Sequence, residues 1–359
     1  MTQKNKSIKI GDVVVKPGQR TTIELPVADL YTATPLNIAV QVICGRRAGP
    51  TLFVSAAVHG DELNGVEIIR RLLKHKALRS LRGTLLAIPI VNVHGFLNQS
   101  RYLPDRRDLN RSFPGSAKGS IAARLAHTFH KQIVFRSDYG IDLHTGAINR
   151  SNLPQVRANL DDPKTLELAR AFGAPVIINA NIRDGSLRAC AGELGLPMLI
   201  YEAGEALRFD DMSIRGGLRG VINVMRAIGM LSAARKARIY EPVLARTTSW
   251  VRAPVSGIVS EKLRLGSSVV KGQRLATVSD PLGDETENAV APFDGIIIGR
   301  SNLPLAHEGD ALFNIAAFKS IASAEDRVEE FTAAFDPASH DSSQILASDM
   351  MPFPDRSTE

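Results

Sequence analysis

The chain has 359 residues, of which 44% are apolar and 23% charged, and its formal net charge is +7. This length allows a large hydrophobic core and roughly two domains. The basic residues are dispersed, without long Lys/Arg runs or interleaved aromatic residues, so we expect no nucleic-acid partner. No segment approaches the roughly 18 apolar residues of a membrane span, no apolar signal core begins the chain, and Cys44 and Cys190 lack metal-type spacing. We therefore expect a cytoplasmic protein without a membrane partner.

The first part of the chain predicts a β lead-in followed by an α/β domain. Residues 1–48 contain short β-like runs between Pro and Gly turns and are expected to pack on the domain that follows. From residue 49, apolar runs alternate with amphipathic helical segments, as in TLFVSAAV, GVEIIRRLLKHKAL and GTLLAIPIVNV. Over residues 49–235 this alternation predicts a mostly parallel mixed sheet with helices on both faces.

The pattern changes after a connecting stretch near 233–247. APVSGIV at 253–259 recurs as APFDGII at 291–297, and KGQRLATV at 271–278 recurs loosely as EGDALFNI at 308–315. The two intervals agree within one residue, which indicates an internal duplication of a short-stranded β unit. We predict a small all-β domain over 248–318 and a C-terminal tail over 319–359, loose in its polar, Ser- and Pro-rich final stretch.

Three polar clusters follow strand-like runs of the α/β domain: HGDE, DLHTG and YEAGE. Ligands of such sheets bind outside the carboxyl ends of the strands. We therefore expect these clusters, from distant parts of the chain, to converge.

The first two clusters contain a candidate zinc site. His59 and Glu62 have H-x-x-E spacing, and His144 can supply a third ligand, which leaves a position open for water and a substrate oxygen. The alternative is a plain helix start, because Gly60 permits a turn and acids at a helix N-terminus favour its dipole. The occurrence of both histidines after buried strands, each before a Gly-containing turn, favours the metal site.

A metal-dependent hydrolase also needs a base and a cation for the developing oxyanion. Glu202, after the apolar run LPMLIY, is the candidate base, with Glu205 as the alternative. Arginine forks suit carboxylates and oxyanions. Candidates for these contacts lie in the turn-rich stretch QSRYLPDRRDLNRSFPG: Arg101, Arg106, Arg107, Asn110 and Arg111.

HGDELNG, DLNRSFPG, DLHTG and YEAGE, in this order over roughly residues 45–232, resemble the succinylglutamate desuccinylase/aspartoacylase family, relatives of the M14 zinc carboxypeptidases. The resemblance implies one zinc ion (Zn²⁺) per chain and a zinc carboxypeptidase-like fold. It assigns the residues as follows: His59, Glu62 and His144 bind zinc, Glu202 activates the water and protonates the leaving amine, Asn110 and Arg111 hold a substrate carboxylate, and Arg101, with Arg106 as the alternative, polarises the carbonyl.

The duplicated C-terminal region resembles a biotinyl/lipoyl-type β domain, a flattened barrel of two related halves. A carrier domain of that type has a modifiable Lys in the hairpin between its halves, but SDPLGDETENAV contains none, and Lys271 belongs to an earlier hairpin. We therefore expect a structural role, at the mouth of the active site or in oligomer contacts.

Together, the motifs and the resemblance predict hydrolysis of the amide bond of a small, carboxylate-bearing N-acyl amino acid or related compound. A metallocarboxypeptidase acting on a peptide or an acidic tail is the closest alternative. A non-catalytic binding protein of the same fold is the third. A homodimer is the default expectation for the assembly.

Overall fold

The computed structural model describes residues 3–180, 182–233, 242–245 and 247–335. Its strands, in chain order, are β1 (Ile8–Ile10), β2 (Val13–Val15), β3 (Arg20–Asp29), β4 (Pro35–Cys44), β5 (Arg47–Ala56), β6 (Arg82–Ile88), β7 (Tyr139–Gly146), β8 (Arg150–Ala158), β9 (Val176–Asn179), β10 (Met198–Glu205), β11 (Val243–Ala245), β12 (Thr247–Arg252), β13 (Gly257–Ser260), β14 (Ser268–Val269), β15 (Arg274–Ser279), β16 (Thr286–Val290), β17 (Gly295–Ser301), β18 (Leu305–Ala306) and β19 (Ala311–Ala317).

The α-helices are α1 (Asn64–Leu72), α2 (Val93–Leu97), α3 (Ile121–Gln132), α4 (Pro163–Phe172), α5 (Leu187–Glu193), α6 (Asp211–Ala227) and α7 (Ile321–Phe335). Helix α4 shows how local sequence sets such boundaries. Asp162 accepts a 2.9 Å hydrogen bond from the backbone N–H of Thr165, and Pro163 occupies the first turn, where its missing N–H costs nothing. Gly173 ends the helix at φ 80°, a left-handed conformation that glycine adopts without strain.

A mixed sheet of 13 strands organises the molecule. Its main path runs β12-β19-β17-β8-β10-β7-β5-β6-β4-β3. The neighbours β10, β7, β5 and β6 are all parallel, whereas β4 and β3 on one side and β8 and β17 on the other are joined by antiparallel pairings. The predicted α/β class and mixed sheet are confirmed, and the parallel strands lie at its centre.

Helices cover both faces of this sheet, as predicted. Along β5, Leu52 and Val54 face one apolar core together with α1, α4 and α6, whereas Phe53 faces a second core with α3 and α5. Successive side chains of a strand point to opposite faces. The continuous apolar run of β5 is therefore explained by burial on both sides.

The C-terminal β unit, residues 247–317, repeats one pattern of pairing in its two halves. Strand β13 pairs with β15 and β17 pairs with β19, while β18 adds to β13 and β14 adds to β17. The small all-β region and the duplication read from the sequence therefore have structural counterparts. Its likeness to biotinyl/lipoyl domains stays a prediction, as do the domain boundaries.

The C-terminal β unit is continuous with the α/β sheet, because β17 pairs antiparallel with β8. The lead-in over 1–48 is continuous with it too, since β4 pairs with β6. The central parallel strands are therefore flanked by sheet on both sides.

Part of the range predicted as a tail is helical. In α7, Ala324, Val328, Phe331 and Phe335 recur at helical spacing and are buried, and the helix packs against α6. The final stretch predicted to be loose begins at 336 and lies outside the described residues.

Within the described ranges, no helix combines the length and apolarity that crossing a membrane requires. The cytoplasmic location and the homodimer stay predictions.

Helix α6 approaches α4 closely at Gly220, where an added Cβ would lie 2.2 Å from Cε1 of Phe172. We expect Gly220→Ala to lower the free energy of unfolding by about 1–3 kcal/mol, because the ring is buried and must move. Gly192→Ala is the control, since its nearest atom would be 3.8 Å away. Urea denaturation measures both, and equal stability of the two variants would contradict this close packing.

Candidate metal centre and active-site cleft

The three polar clusters converge at the carboxyl ends of β5, β7 and β10. These strands are parallel neighbours, so their ends meet at one edge of the sheet. His59 and Glu62 follow β5, whereas His144 and Glu202 are paired residues on β7 and β10. The strand order thus brings together residues that are more than 140 positions apart.

His59, Glu62 and His144 form a buried group whose candidate ligand atoms all lie within 4.8 Å of one another. Nδ1 of His59 lies 2.7 Å from Oε1 of Glu62, and Nδ1 of His144 lies 2.7 Å from Oε2. Two imidazole nitrogens and a carboxylate are a typical donor set of catalytic zinc sites. The residues therefore fit the predicted metal.

The far nitrogen of each imidazole contacts a second carboxylate. Nε2 of His144 lies 2.7 Å from Asp142, whose other oxygen accepts a 2.7 Å hydrogen bond from the Ser55 hydroxyl. Nε2 of His59 lies 3.2 Å from Asp108. Such contacts fix the ring orientation of ligating histidines and leave Nδ1 to face a metal.

These supporting residues were not recognised from the sequence. Asp142 and His144 stand two apart on a strand, so period-two alternation already indicated a shared face. Asp61 is buried, helix α1 has no side-chain cap, and the carboxylates that contact the two imidazoles belong to Asp108 and Asp142.

Electrostatics keeps Glu62 ionised. Burial alone would raise its pKa, but the adjacent His59 and His144 hold the pKa well below its usual range. Burial lowers the pKa of His144, yet Asp142 and Glu62 outweigh this and raise it well above the ordinary value. Glu62 is thus available in the charged form that a metal ligand requires.

Of the two arginines considered for carbonyl polarisation, Arg101 lines the cleft and Arg106 does not. Nη2 of Arg101 lies 2.9 Å from Asp108, and Nη1 lies 3.5 Å from Oε1 of Glu62. Arg106 is exposed on a turn at φ 62°. The guanidinium next to the metal group is therefore that of Arg101.

Glu202 also lines the cleft, whereas Glu205 is engaged elsewhere. Glu202 accepts a 2.7 Å hydrogen bond from Nδ2 of Asn152, and Nε of Arg157 lies 3.7 Å from its other oxygen. The carboxylate of Glu205 accepts a 2.8 Å hydrogen bond from Asn302. The two acids that the sequence alone left as alternatives therefore differ in position, since only Glu202 lines the cleft.

Asn110 and Arg111 line the same cleft. The side-chain oxygen of Asn110 accepts a 2.9 Å hydrogen bond from the backbone N–H of Leu187, at the start of α5. The Arg111 guanidinium donates to the carbonyl of Asn110. All seven residues predicted from the sequence are therefore in one cleft.

The cleft has a volume of about 670 Å³ and basic walls. Within the described residues, Glu62 and Glu202 are the carboxylates that line it. Burial, reinforced by Arg157, lowers the pKa of Arg188 to about 10, so Arg188 remains charged at neutral pH. The arginines lining the cleft are Arg101, Arg111, Arg150, Arg157, Arg183 and Arg188.

The C-terminal β unit supplies part of the outer wall. Thr247, Thr248 and Trp250 line the cleft, and the Arg150 guanidinium lies 5.3 Å from the centre of the Trp250 ring. The sequence analysis expected this unit at the mouth of the active site or in oligomer contacts. It did not indicate the Arg150–Trp250 contact, which joins two strands that are not neighbours in the sheet.

Fold and site thus define a mixed α/β protein with a buried His-Glu-His group, able to hold a metal, in a basic cleft. The chain belongs to the succinylglutamate desuccinylase/aspartoacylase family, whose catalytic-domain model matches residues 48–228. The predicted family is therefore confirmed.

Individual relatives agree with this assignment. The N-alpha-acetyl-L-2,4-diaminobutyric acid deacetylase of Halomonas elongata is 27% identical over an alignment of 316 residues that covers 83% of this chain and 91% of that protein. The product-bound structure of the ectoine utilization protein EutE (DoeB) from Ruegeria pomeroyi is 25% identical, with a TM-score of 0.76, covering 88% of this chain and 100% of that one.

A third likeness concerns the fold alone. A succinylglutamate desuccinylase/aspartoacylase from Rhodobacter sphaeroides has a TM-score of 0.74 at 24% identity, covering 84% of this chain and 95% of that one. Relatives of the chain are named as deacylases, which supports the coarser prediction of a hydrolase that acts on amide bonds.

Replacement of the central ligand should remove the metal. We expect Glu62→Gln to reduce bound zinc from about one ion per chain to near zero, because a neutral amide replaces the carboxylate between the two imidazoles. The control is Glu193→Gln, at an exposed position of α5. Zinc content after dialysis, measured by mass spectrometry, is the readout, and retention of zinc by Glu62→Gln would count against this site.

Proposed function

We propose that the protein is a zinc-dependent hydrolase that cleaves the amide bond of a small, carboxylate-bearing N-acyl amino acid or related compound. The observation that carries this proposal is the joint presence, in one cleft, of the His59–Glu62–His144 group and a second carboxylate, Glu202. A hydrolase of this type needs both a metal and a base, and a binding protein needs neither.

His59, Glu62 and His144 would hold the zinc ion. The chemistry that zinc supplies at such a site is Lewis-acid polarisation of a carbonyl and a lowered pKa of water. Glu202 then accepts a proton from the attacking water and delivers it to the leaving amine, so that the C–N bond breaks to give a carboxylate and an amine.

Arg101 stabilises the negative charge that develops on the carbonyl oxygen. Its guanidinium is held by Asp108, so little reorganisation is needed when the oxyanion forms. Asn110 and Arg111 bind the carboxylate of the amino-acid part, with the guanidinium as a planar donor.

The charge of the cleft supports an anionic substrate. Six arginines and two carboxylates line it, and one of the carboxylates, Glu62, is paired with His59 and His144. Charged walls of one sign raise the local concentration of oppositely charged substrates. The name of the Halomonas elongata relative, an N-acetyl amino-acid deacetylase, supports the N-acyl amino acid class.

A hydrolysis screen tests the proposal. Zinc-loaded protein is incubated with N-acetyl and N-succinyl amino acids and with dipeptides, and amine release is measured, with Glu202→Ala as the control. We expect release from N-acyl amino acids that is lost in the variant. Preference for dipeptides would support the carboxypeptidase alternative, and zinc binding without any hydrolysis would support a binding protein.

The role of Arg101 is tested separately on the best substrate. We expect Arg101→Ala to lower kcat about a hundredfold or more, because an oxyanion donor contributes about 3–4 kcal/mol, while zinc content is retained. Arg106→Ala is the matched control and should leave kcat unchanged, since Arg106 is exposed outside the cleft. Comparable losses in both variants would refute the assignment.

A further inference from the structure

Strand β17, which joins the C-terminal β unit to the α/β sheet, is separated from the strand of Glu202 by β8 alone. In the antiparallel pairing of β17 with β8, Gly299 is opposite Asn152, Arg300 is opposite Ser151 and Ser301 is opposite Arg150. Strand β8 in turn pairs with β10, which contains Glu202. The C-terminal β unit is thus one strand away from the candidate base.

Asn152 links these two strands to the cleft. It is buried, and its Nδ2 donates a 2.7 Å hydrogen bond to Oε2 of Glu202. The other oxygen of Glu202 has a looser contact, at 3.7 Å from Nε of Arg157. The short hydrogen bond to Asn152 is therefore the contact that best defines the orientation of this carboxylate.

Gly299 allows Asn152 to adopt this position. A Cβ at Gly299 would lie 3.0 Å from Oδ1 of Asn152 and 3.3 Å from Cβ of Asn314. Both distances are shorter than ordinary van der Waals contact, so a methyl group added at Gly299 would require these neighbours to shift by a few tenths of an ångström. The backbone of β17 therefore forms the wall against which the Asn152 amide rests.

Asn302, just after β17, makes a second set of hydrogen bonds with the same region. Its Nδ2 lies 2.7 Å from Oγ of Ser151 and 2.8 Å from Oε2 of Glu205, and its backbone N–H donates to the carbonyl of Asn149. One residue of the C-terminal β unit thus holds both β8 and the end of β10. The two strands that define the geometry of Glu202 are tied to each other from outside the α/β domain.

We infer that the C-terminal β unit positions the catalytic base: β17, through Gly299, holds Asn152, and Asn152 orients Glu202. Asn152 is a positioning residue, because it acts through Glu202. The inference rests on the proposed role of Glu202. It gives the C-terminal β unit a function in catalysis besides its contribution to the outer wall of the cleft.

A glutamate side chain has several rotatable bonds, so the position of its carboxylate is not defined unless neighbouring groups hold it. Misplacement of a reacting group by about 1 Å can cost roughly a hundredfold in rate. A carboxylate held by a buried amide, which itself rests on a fixed backbone, keeps its position without relying on the substrate.

The first experiment compares Asn152→Ala and Asn152→Asp on the N-acyl amino acid that wild-type protein hydrolyses fastest. We expect both to lower kcat about tenfold or more with KM within about twofold, since each removes the side-chain hydrogen bond that Asn152 donates to Glu202. Asn152→Asp keeps nearly the shape of Asn but places a second carboxylate beside Glu202. Full activity of either variant would overturn the inference. Asn288→Ala, at an exposed position of β16, should retain full kcat.

The second experiment links Gly299 to the same chain of contacts. We expect Gly299→Ala to lower kcat several-fold in the wild-type background and to have little effect in the Asn152→Ala background, where the amide it displaces is absent. If Gly299→Ala lowered kcat by the same factor in both backgrounds, the part of the inference that involves β17 would be overturned. Zinc content is measured for every variant and should not change.

A third measurement does not require turnover. In urea denaturation, Asn152→Ala should lower the unfolding midpoint more in the wild-type background than in Glu202→Ala, because only the former loses the contact. Equal shifts would refute the contact. If the wild-type protein hydrolysed nothing, the proposed function would fail, and unequal midpoint shifts would still show that Asn152 holds Glu202.

Discussion

Glu62 is the residue on which the site depends. Its two oxygens contact the Nδ1 atoms of His59, which follows β5, and of His144, which lies on β7. A buried carboxylate is tolerated only with charged or hydrogen-bonding partners. The backbone N–H of Thr145 donates to it as well, at 3.2 Å. The same contacts that make Glu62 a good metal ligand therefore also make the two strand ends interdependent.

Around this carboxylate the charges are arranged in layers. Asp108 and Asp142 hold the outer nitrogens of the imidazoles, Ser55 holds Asp142, and Arg101 spans Asp108 and Glu62. The remaining arginines of the cleft are Arg111, Arg150, Arg157, Arg183 and Arg188. In the proposed function the two groups have different tasks, since the acids orient the metal ligands and the arginines attract an anion.

Much of this was predictable from the sequence, for identifiable reasons. The apolar run of β5 and the polar HGDE that follows it are adjacent in the chain, so a strand ending in a site could be recognised from one short segment. The helix-start interpretation of HGDE was incomplete, since α1 begins at Asn64 and the preceding acids serve the site or lie buried. The helical spacing of α7 was overlooked within a region dominated by a polar tail. The role of Asp108 could not be read locally, because its partners His59 and Arg101 come from other segments.

The sequence by itself determined the family, the alternation of strands and helices, and the candidate ligands and base, because each depends on residue type and on short-range spacing. Only the tertiary structure showed that Arg101 and Glu202 line the cleft whereas Arg106 and Glu205 do not, and it alone joined β17 to the strand of Asn152. Those outcomes depend on which strands become neighbours and which side chains reach across them. Strand order depends on how the whole sheet is buried, so it cannot be predicted from a single segment of the sequence.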